Sequence, residues 1–149
     1  MSYLALGGLI AAHLADLTRQ WPRLAIVEGR ELAAIRDGTA RTAERLPAIH
    51  VLYAGDVLAA SQARGAMQTI DQQWLVVPCV ADLRESGESA DTLGELIDAA
   101  LLALQGWQPS DVHGELRRVQ APGPIYRGGV MRVPLQFRSR LLRLGERLI

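Results

Sequence analysis

The side chains best suited to catalysis or metal binding are few in this chain and lie far apart in its sequence. The three histidines, His13, His50 and His113, show none of the HxH, HExxH or CxxC spacings that are typical of zinc sites. Cys79 is the only cysteine, and it lies in an apolar run beside Pro78, so we expect a buried, unreactive thiol with no neighbouring base. The sequence therefore predicts neither a metal site nor an activated nucleophile.

The sequence offers equally little support for a phosphate-binding loop, a nucleophilic serine or a pair of catalytic carboxylates. No GxGxxG or Walker pattern occurs, and Gly128-Gly129 is an isolated glycine pair. No serine occupies a nucleophile elbow. Asp71, Asp82 and Glu85 could supply the two carboxylates of a metal-dependent nuclease, but the acidic residues do not cluster. We therefore predict a protein that is not an enzyme and that uses no cofactor.

Arginine is the charged residue type that suggests a binding role. There is no lysine, and sixteen arginines balance sixteen acidic residues to a formal net charge of zero. A guanidinium makes planar, bidentate contacts with carboxylates or phosphates, although a GC-rich genome would also replace lysine by arginine. Because a neutral chain has no global field that attracts DNA or an anionic membrane, any basic surface must be local.

The last predicted strand carries three of these arginines. Its residues alternate, with Pro134 as an interruption: Met131, Val133, Leu135 and Phe137 on one face, and Arg132, Gln136, Arg138 and Arg140 on the other. The apolar face must meet the core. The other face is then a solvated surface, a subunit interface or a contact with phosphate, and Arg132, Arg138 and Arg140 are candidate interface residues.

The stretch Gln73 to Trp107 is the centre of the predicted fold. The extended apolar run QWLVVPCVADL precedes a helix whose apolar residues form one stripe with a 3.6-residue period. Thr92 and Glu95 have the spacing of a capping box at the helix start, and Gly106 can adopt the left-handed conformation at its end. Pro78 removes a hydrogen-bond donor from the strand and so predicts a bulge or an edge position.

Other elements precede and follow this centre. Residues 4–20 form a predicted amphipathic helix, which differs from a signal peptide or a membrane span because it has no basic start and contains His13 and Asp16. We therefore expect a soluble cytoplasmic protein. Strands are predicted at residues 23–27, 48–55 and 115–120, with Gly55 ending the second, and a brief helix at residues 30–35.

Two segments are candidates for contacts with a partner. Residues 56–73 have neither a helical nor a strand period and are longer than most connections in compact domains. Arg64 and Met67 at the tip of this loop are candidate interface residues, with a solvated hairpin end as the alternative. Residues 141–149 are strongly apolar, so we expect Leu144, Leu148 and Ile149 to dock on this domain or on a neighbour.

The order of these elements and several local phrases resemble the tail terminator, or tail-completion, proteins of long-tailed bacteriophages and their prophages. The resemblance rests on the strand from Trp74 to Arg84, on the helix end Ala100 to Pro109 and on Pro47 to Gly55. With the order of the other elements, the similarity extends over nearly the whole chain. They are structural patterns rather than a catalytic fingerprint.

This resemblance implies an α+β fold, in which a mainly antiparallel or mixed sheet packs against two principal helices in one domain of residues 1–149. It implies a homohexameric ring that caps the tail tube, stops tube polymerisation and offers a joining surface to the head connector or neck protein. The protein would assemble in the host cytoplasm and remain at the head-proximal end of the virion tail. It would need no metal, cofactor, membrane or specific nucleic acid, although the ring's lumen would leave a path for DNA.

Two alternatives remain open. A neck or head-completion protein would bind the portal side first, and the sequence does not separate it from a terminator. A small nucleic-acid-binding protein would use Arg132, Arg138 and Arg140 on phosphates, and its affinity for DNA would fall steeply with salt.

Overall fold

A seven-stranded mixed sheet and the helices that cover one of its faces make up the described part of the fold. The computed structural model describes residues 2–29, 45–58, 70–81 and 88–141. Helix α1 spans Ala5–Leu14 and continues as a 3-10 helix over Ala15–Arg19, and helix α2 spans Glu88–Leu104. The strands are β1 Ala25–Glu28, β2 Ala48–Leu58, β3 Ile70–Ala81, β4 Arg117–Val119, β5 Ile125–Arg127, β6 Val130–Arg132 and β7 Leu135–Leu141.

Strands β2 and β3 form the antiparallel centre of the sheet. Strand β1 joins β2 as a parallel edge strand, and every other pairing in the described sheet is antiparallel. The far side of β3 is shared, because β7 pairs with residues 70–76 and β6 pairs with residues 79–81. Strands β4 and β5 lie outside β7 and β6. The predicted α+β fold, with a mixed and mainly antiparallel sheet, is confirmed.

Pro78 lies where the ladder on the far side of β3 passes from β7 to β6. Its carbonyl oxygen accepts a hydrogen bond from the backbone N–H of Val133 at 3.1 Å. Because the N–H and C=O groups of one strand residue point to the same side, the donor that proline lacks also falls in this gap. The predicted bulge or edge position is wrong, since β3 is central. The proline leaves this ladder one hydrogen bond short, while the pairing with β2 on the other side of β3 is kept.

Strands β6 and β7 are two parts of one interrupted strand. The pairs Val76 with Leu135 and Cys79 with Arg132 keep the same register on both sides of the gap. Pro134 lies between these two parts, so the predicted interruption of the terminal strand is confirmed.

The main core lies between the helices and one face of the sheet. Helix α1 contributes Leu6, Ile10 and Leu14, as its predicted apolar face requires. The predicted stripe of α2 is also confirmed, with Leu93, Leu96, Ala100 and Leu104 buried and Ile97 and Leu101 packed against them. The sheet contributes Ile49, Val51, Trp74, Val76, Val80, Leu135 and Phe137. A smaller cluster of Ala48, Val77, Cys79 and Val130 lies on the opposite face.

The structure corrects the predicted start of α2 and confirms its predicted end. The helix begins at Glu88, so Thr92 and Glu95 lie inside it and the predicted capping box is wrong. Spacing alone cannot show where a helix starts when further helix-compatible residues precede it. At the other end Gly106 has φ 80°, and its N–H donates to the Leu116 carbonyl at 2.9 Å. The predicted left-handed end is confirmed.

Strand β2 continues beyond Gly55, which the sequence predicted as its end. Gly55 has φ 100°, and the register with β3 shifts between Tyr53 and Gly55, so the strand bulges and then resumes pairing. The predicted loop over residues 56–73 is correspondingly too long at both ends. Arg64 and Met67 lie outside the described residues.

The remaining predicted strands are confirmed as β1 and β4 with shifted ends, whereas β5 was missed. All three residues of β5 are exposed. Because neither side of the strand is buried, its sequence shows no alternation of apolar and polar residues. Gly128 and Gly129, with φ 60° and 75°, form the two-residue turn that joins β5 to β6. The brief helix predicted at residues 30–35 lies outside the described residues. Among the helices described, none has the length and apolar character needed to cross a membrane.

Candidate functional site

Three arginines and one buried aspartate lie together on the sheet face opposite the helices. Arg138 and Arg140 come from β7, Arg117 from β4 and Asp71 from β3. The register places Arg138 between Arg117 and Gln73, and it places Arg140 beside Asp71. We call this surface the arginine face and define it by Asp71, Gln73, Arg117, Gln136, Arg138 and Arg140.

The Asp71 carboxylate contacts two of the three arginines of this surface. Its side chain is only 11% exposed, and Oδ1 accepts a hydrogen bond from Nε of Arg140 at 3.1 Å. Nη2 of Arg117 lies 3.6 Å from Oδ2. Arg117 and Arg138 are direct cross-strand partners, an arrangement that is destabilising for two like charges unless a carboxylate offsets it. The Asp71 carboxylate is therefore engaged by arginines.

Arg138 differs from the other two arginines of this face. No ion pair to Arg138 is found within the described residues, and its buried Nε finds no hydrogen-bond acceptor among them. Beside it, Nε2 of Gln136 donates to Oε1 of Gln73 at 2.8 Å. Three guanidinium groups against one carboxylate leave the arginine face with a net positive charge.

Arg132 is not brought to this cluster, although the sequence grouped it with Arg138 and Arg140. It lies on the same face of the sheet but in β6, six residues before Arg138, which corresponds to about 20 Å along an extended chain. Arg117 takes its place in the cluster. The sequence analysis missed Arg117 because only the pairing of β4 with β7 brings it there.

Asp71→Asn should lower the free energy of unfolding by about 1–3 kcal/mol, because the charge-assisted hydrogen bond to Arg140 and the ion pair with Arg117 are weakened and the repulsion among three neighbouring arginines is no longer offset. Urea denaturation at constant ionic strength measures this change. Asp111→Asn is the matched control, since Asp111 is exposed in a turn and its replacement should change stability by no more than about 0.5 kcal/mol. Equal stability of the two variants would contradict the assigned role of Asp71.

The histidines at positions 13 and 113 are held by specific contacts. Nε2 of His13 lies 3.0 Å from the Ala103 carbonyl oxygen, and its ring stacks on Trp107 with centroids 3.9 Å apart. Nδ1 of His113 lies 2.8 Å from the Ser110 hydroxyl oxygen, and burial lowers the pKa of this imidazole. These contacts join helix α1 to the end of α2 and fix the turn after it.

The predicted burial of Cys79 is confirmed, but its neighbourhood differs from the prediction. Its Sγ lies 3.9 Å from Nδ1 of the buried His50, so a potential base is close after all. The same sulfur lies 3.2 Å from the Val77 carbonyl oxygen. Only the pairing of β2 with β3 brings His50 and Cys79 together. Across the described ranges, no group of three His, Cys, Asp or Glu side chains is placed to hold a metal ion.

The outer side of α2 carries a second charged surface. Asp91, Glu95 and Asp98 are exposed, and their i, i+4, i+7 spacing places them on one side of the helix, opposite the buried stripe. We call these three residues the acidic stripe. Leu102 continues it by one further turn and is 86% exposed. The exposure of Leu102 was not predicted, because this residue stands in the sequence among the leucines of the buried stripe.

A polar cluster ties the start of α1 to the bulge of β2. The hydroxyl groups of Tyr3 and Tyr53 donate to the Asp56 carboxylate at 2.5 Å and 2.6 Å. Nε2 of Gln72 donates to the Tyr3 carbonyl oxygen at 2.7 Å. Burial, followed by the hydrogen bond to Asp56, raises the pKa of both tyrosines, so both remain protonated donors near neutral pH.

The structure therefore defines a small α+β protein with two charged surfaces, the arginine face and the acidic stripe. A family model described as phage tail terminator protein matches residues 1–145, and the chain belongs to this family. Membership makes it a structural protein of the bacteriophage virion tail. The predicted family is confirmed.

A solved structure gives independent support for the fold. A chain in the structure titled "Virion of native gene transfer agent (GTA) particle" matches with a TM-score of 0.60 and 17% sequence identity. The match covers 94% of this chain and 98% of that chain. At this identity the likeness shows a common fold. No curated protein matches the sequence.

Proposed function

We propose that the protein closes the head-proximal end of the tail tube as a homohexameric ring, terminates tube polymerisation and provides the joining surface for the head connector. The observation that carries this proposal is the family match over residues 1–145. In this role residues 1–149 act as one tail-terminator domain without catalytic activity. The charged surfaces on opposite sides of the sheet support the proposal, because a ring subunit must contact a neighbour on each side.

The candidate interface residues keep their proposed roles in this assembly. Arg138 and Arg140 lie in the arginine face, and Arg132 lies farther along the same side of the sheet. Arg64, Met67, Leu144, Leu148 and Ile149 remain proposed contacts from the segments outside the described residues. The tail-tube protein and the head connector or neck protein are the proposed partners.

Native mass spectrometry of the purified protein, alone and with its cognate tail-tube protein, tests this function. We expect a hexamer in at least one of the two samples. In the same experiment, electron microscopy of polymerising tubes should show that added protein stops their growth. A protein that stays monomeric with the tube and leaves tube length unchanged would contradict the proposal and favour a neck protein, which would bind the connector first.

A further inference from the structure

We propose that neighbouring subunits of the ring contact each other head to tail, with the acidic stripe of one subunit docked on the arginine face of the next. The partner is a second copy of this chain. The inference rests on the proposed ring and assigns the two surfaces that form its repeated contact.

The first argument is charge complementarity. The acidic stripe presents Asp91, Glu95 and Asp98, and no ion pair to these carboxylates is found within the described residues. The arginine face has three guanidinium groups and only one carboxylate, that of Asp71. The two surfaces therefore have opposite net charges, while the whole chain is formally neutral. Opposite potentials steer association and fix the orientation of a complex.

The second argument is the position of the two surfaces. Helix α2 buries its Leu93 to Leu104 stripe against one face of the sheet, so the acidic stripe points away from the sheet on that side. The arginine face lies on the other side. A two-fold symmetric dimer formed through either surface would place like charges together. A head-to-tail contact pairs opposite charges, and repetition of that contact closes a ring when the rotation between subunits allows it.

The third argument is that each surface has a group that a neighbour would satisfy. Arg138 makes no ion pair within the described part of the chain and is half-buried, so a carboxylate of the acidic stripe would pair with the part of its guanidinium that solvent reaches. Leu102, 86% exposed at the end of the stripe, would lose its contact with water in the same interface. Apolar contacts surrounded by charged residues are the usual anatomy of a protein interface.

Paired charge reversals test this contact. Arg138→Glu makes the arginine face more acidic, and Glu95→Arg makes the acidic stripe more basic. Each variant alone should show at least a tenfold smaller hexamer fraction than the wild type, because Arg138→Glu cancels the net positive charge of the arginine face and Glu95→Arg removes most of the negative charge of the acidic stripe, so the two contact surfaces attract each other less. Native mass spectrometry is performed on each protein alone and with the tail-tube protein.

Mixing the two variants gives the decisive result. In an equimolar mixture, the arginine introduced at position 95 of one variant can pair with the glutamate introduced at position 138 of the other, and the two unchanged surfaces meet as in the wild type. We therefore expect hexamers to return in the mixture, with three copies of each variant in alternation.

Two reversals outside the proposed contact serve as matched controls. Asp16→Arg and Arg19→Glu change exposed residues of the 3-10 helix by the same charge as the test variants. Both controls should assemble like the wild type. Circular dichroism of all four proteins separates loss of assembly from loss of folding.

Several outcomes would overturn the proposal. If the wild type forms hexamers and the charge reversals leave the hexamer fraction unchanged, the proposed contact is wrong but the ring is not. The same conclusion follows if mixing the two variants restores no hexamers. If the wild type forms no ring even with the tube, both the ring and this contact are rejected. If Arg138→Glu abolishes salt-dependent binding of DNA but leaves assembly intact, the arginine face is a phosphate contact instead.

Discussion

Phe137→Ala should lower the free energy of unfolding by about 3–5 kcal/mol. Phe137 is fully buried in β7 and belongs to the main core, where it is the cross-strand partner of Trp74. Its removal leaves a cavity that a sheet paired on both sides of β7 can only partly close. Because small domains are typically stable by about 5–15 kcal/mol, this one change would remove a large part of the total.

Urea denaturation followed by tryptophan fluorescence measures this loss, at a protein concentration low enough that assembly does not contribute. Leu102→Ala is the matched control, since Leu102 is also a large apolar residue but is almost fully exposed. Its replacement should change the stability of the subunit by no more than about 0.5 kcal/mol. A Phe137→Ala effect as small as that of the control would contradict the position of Phe137 in the core.

Alanine at two adjacent glycines of α1 should have opposite effects on stability. A Cβ atom at Gly7 would lie 2.6 Å and 2.7 Å from two ring carbons of Trp74, whereas nothing lies within 4 Å of a Cβ at Gly8. Gly7→Ala should therefore destabilise the protein by about 1–3 kcal/mol through overpacking. Gly8→Ala should stabilise it by about 0.5–1 kcal/mol, because alanine restricts the unfolded chain and favours the helix.

The Trp74 ring has little freedom to avoid the added methyl group. It is 5% exposed, and its Nε1 donates to Oε1 of Gln72 at 3.3 Å. Thermal unfolding of the two single variants measures the difference, and Gly8→Ala is the internal control because it adds the same group one residue away. Equal effects of the two changes would show that α1 does not pack on Trp74 through Gly7.

Local periodicity predicted those parts of the fold in which burial repeats regularly. The stripe of α2 and the alternation of β7 were both predicted because one side of each element faces the main core and the other does not. The arginine-bearing side of the terminal strand was predicted for the same reason. Each of these features depends on residues that are close in sequence.

Features that depend on contacts between distant segments were not predicted from the sequence. The exposed strand β5 has no buried side to create a pattern. Gly55 is typical of a strand end, but β2 and β3 continue to pair beyond it. The arginine cluster depends on Asp71 from β3 and Arg117 from β4, which meet only through β7. The type and spacing of the charged residues indicated a basic surface, but the sheet topology determines which residues belong to it.

The gap at Pro78 gives the two halves of the terminal strand different attachments to the sheet. Strand β7 is aligned with β3 over seven residue pairs, whereas β6, which carries the β5 hairpin, is aligned over only three. The hairpin can therefore open as a separate cooperative unit while β7 stays in place, and its amide hydrogens should exchange with solvent earlier. A subunit built in this way could change the shape of this arm at little cost to the stability of the rest of the domain.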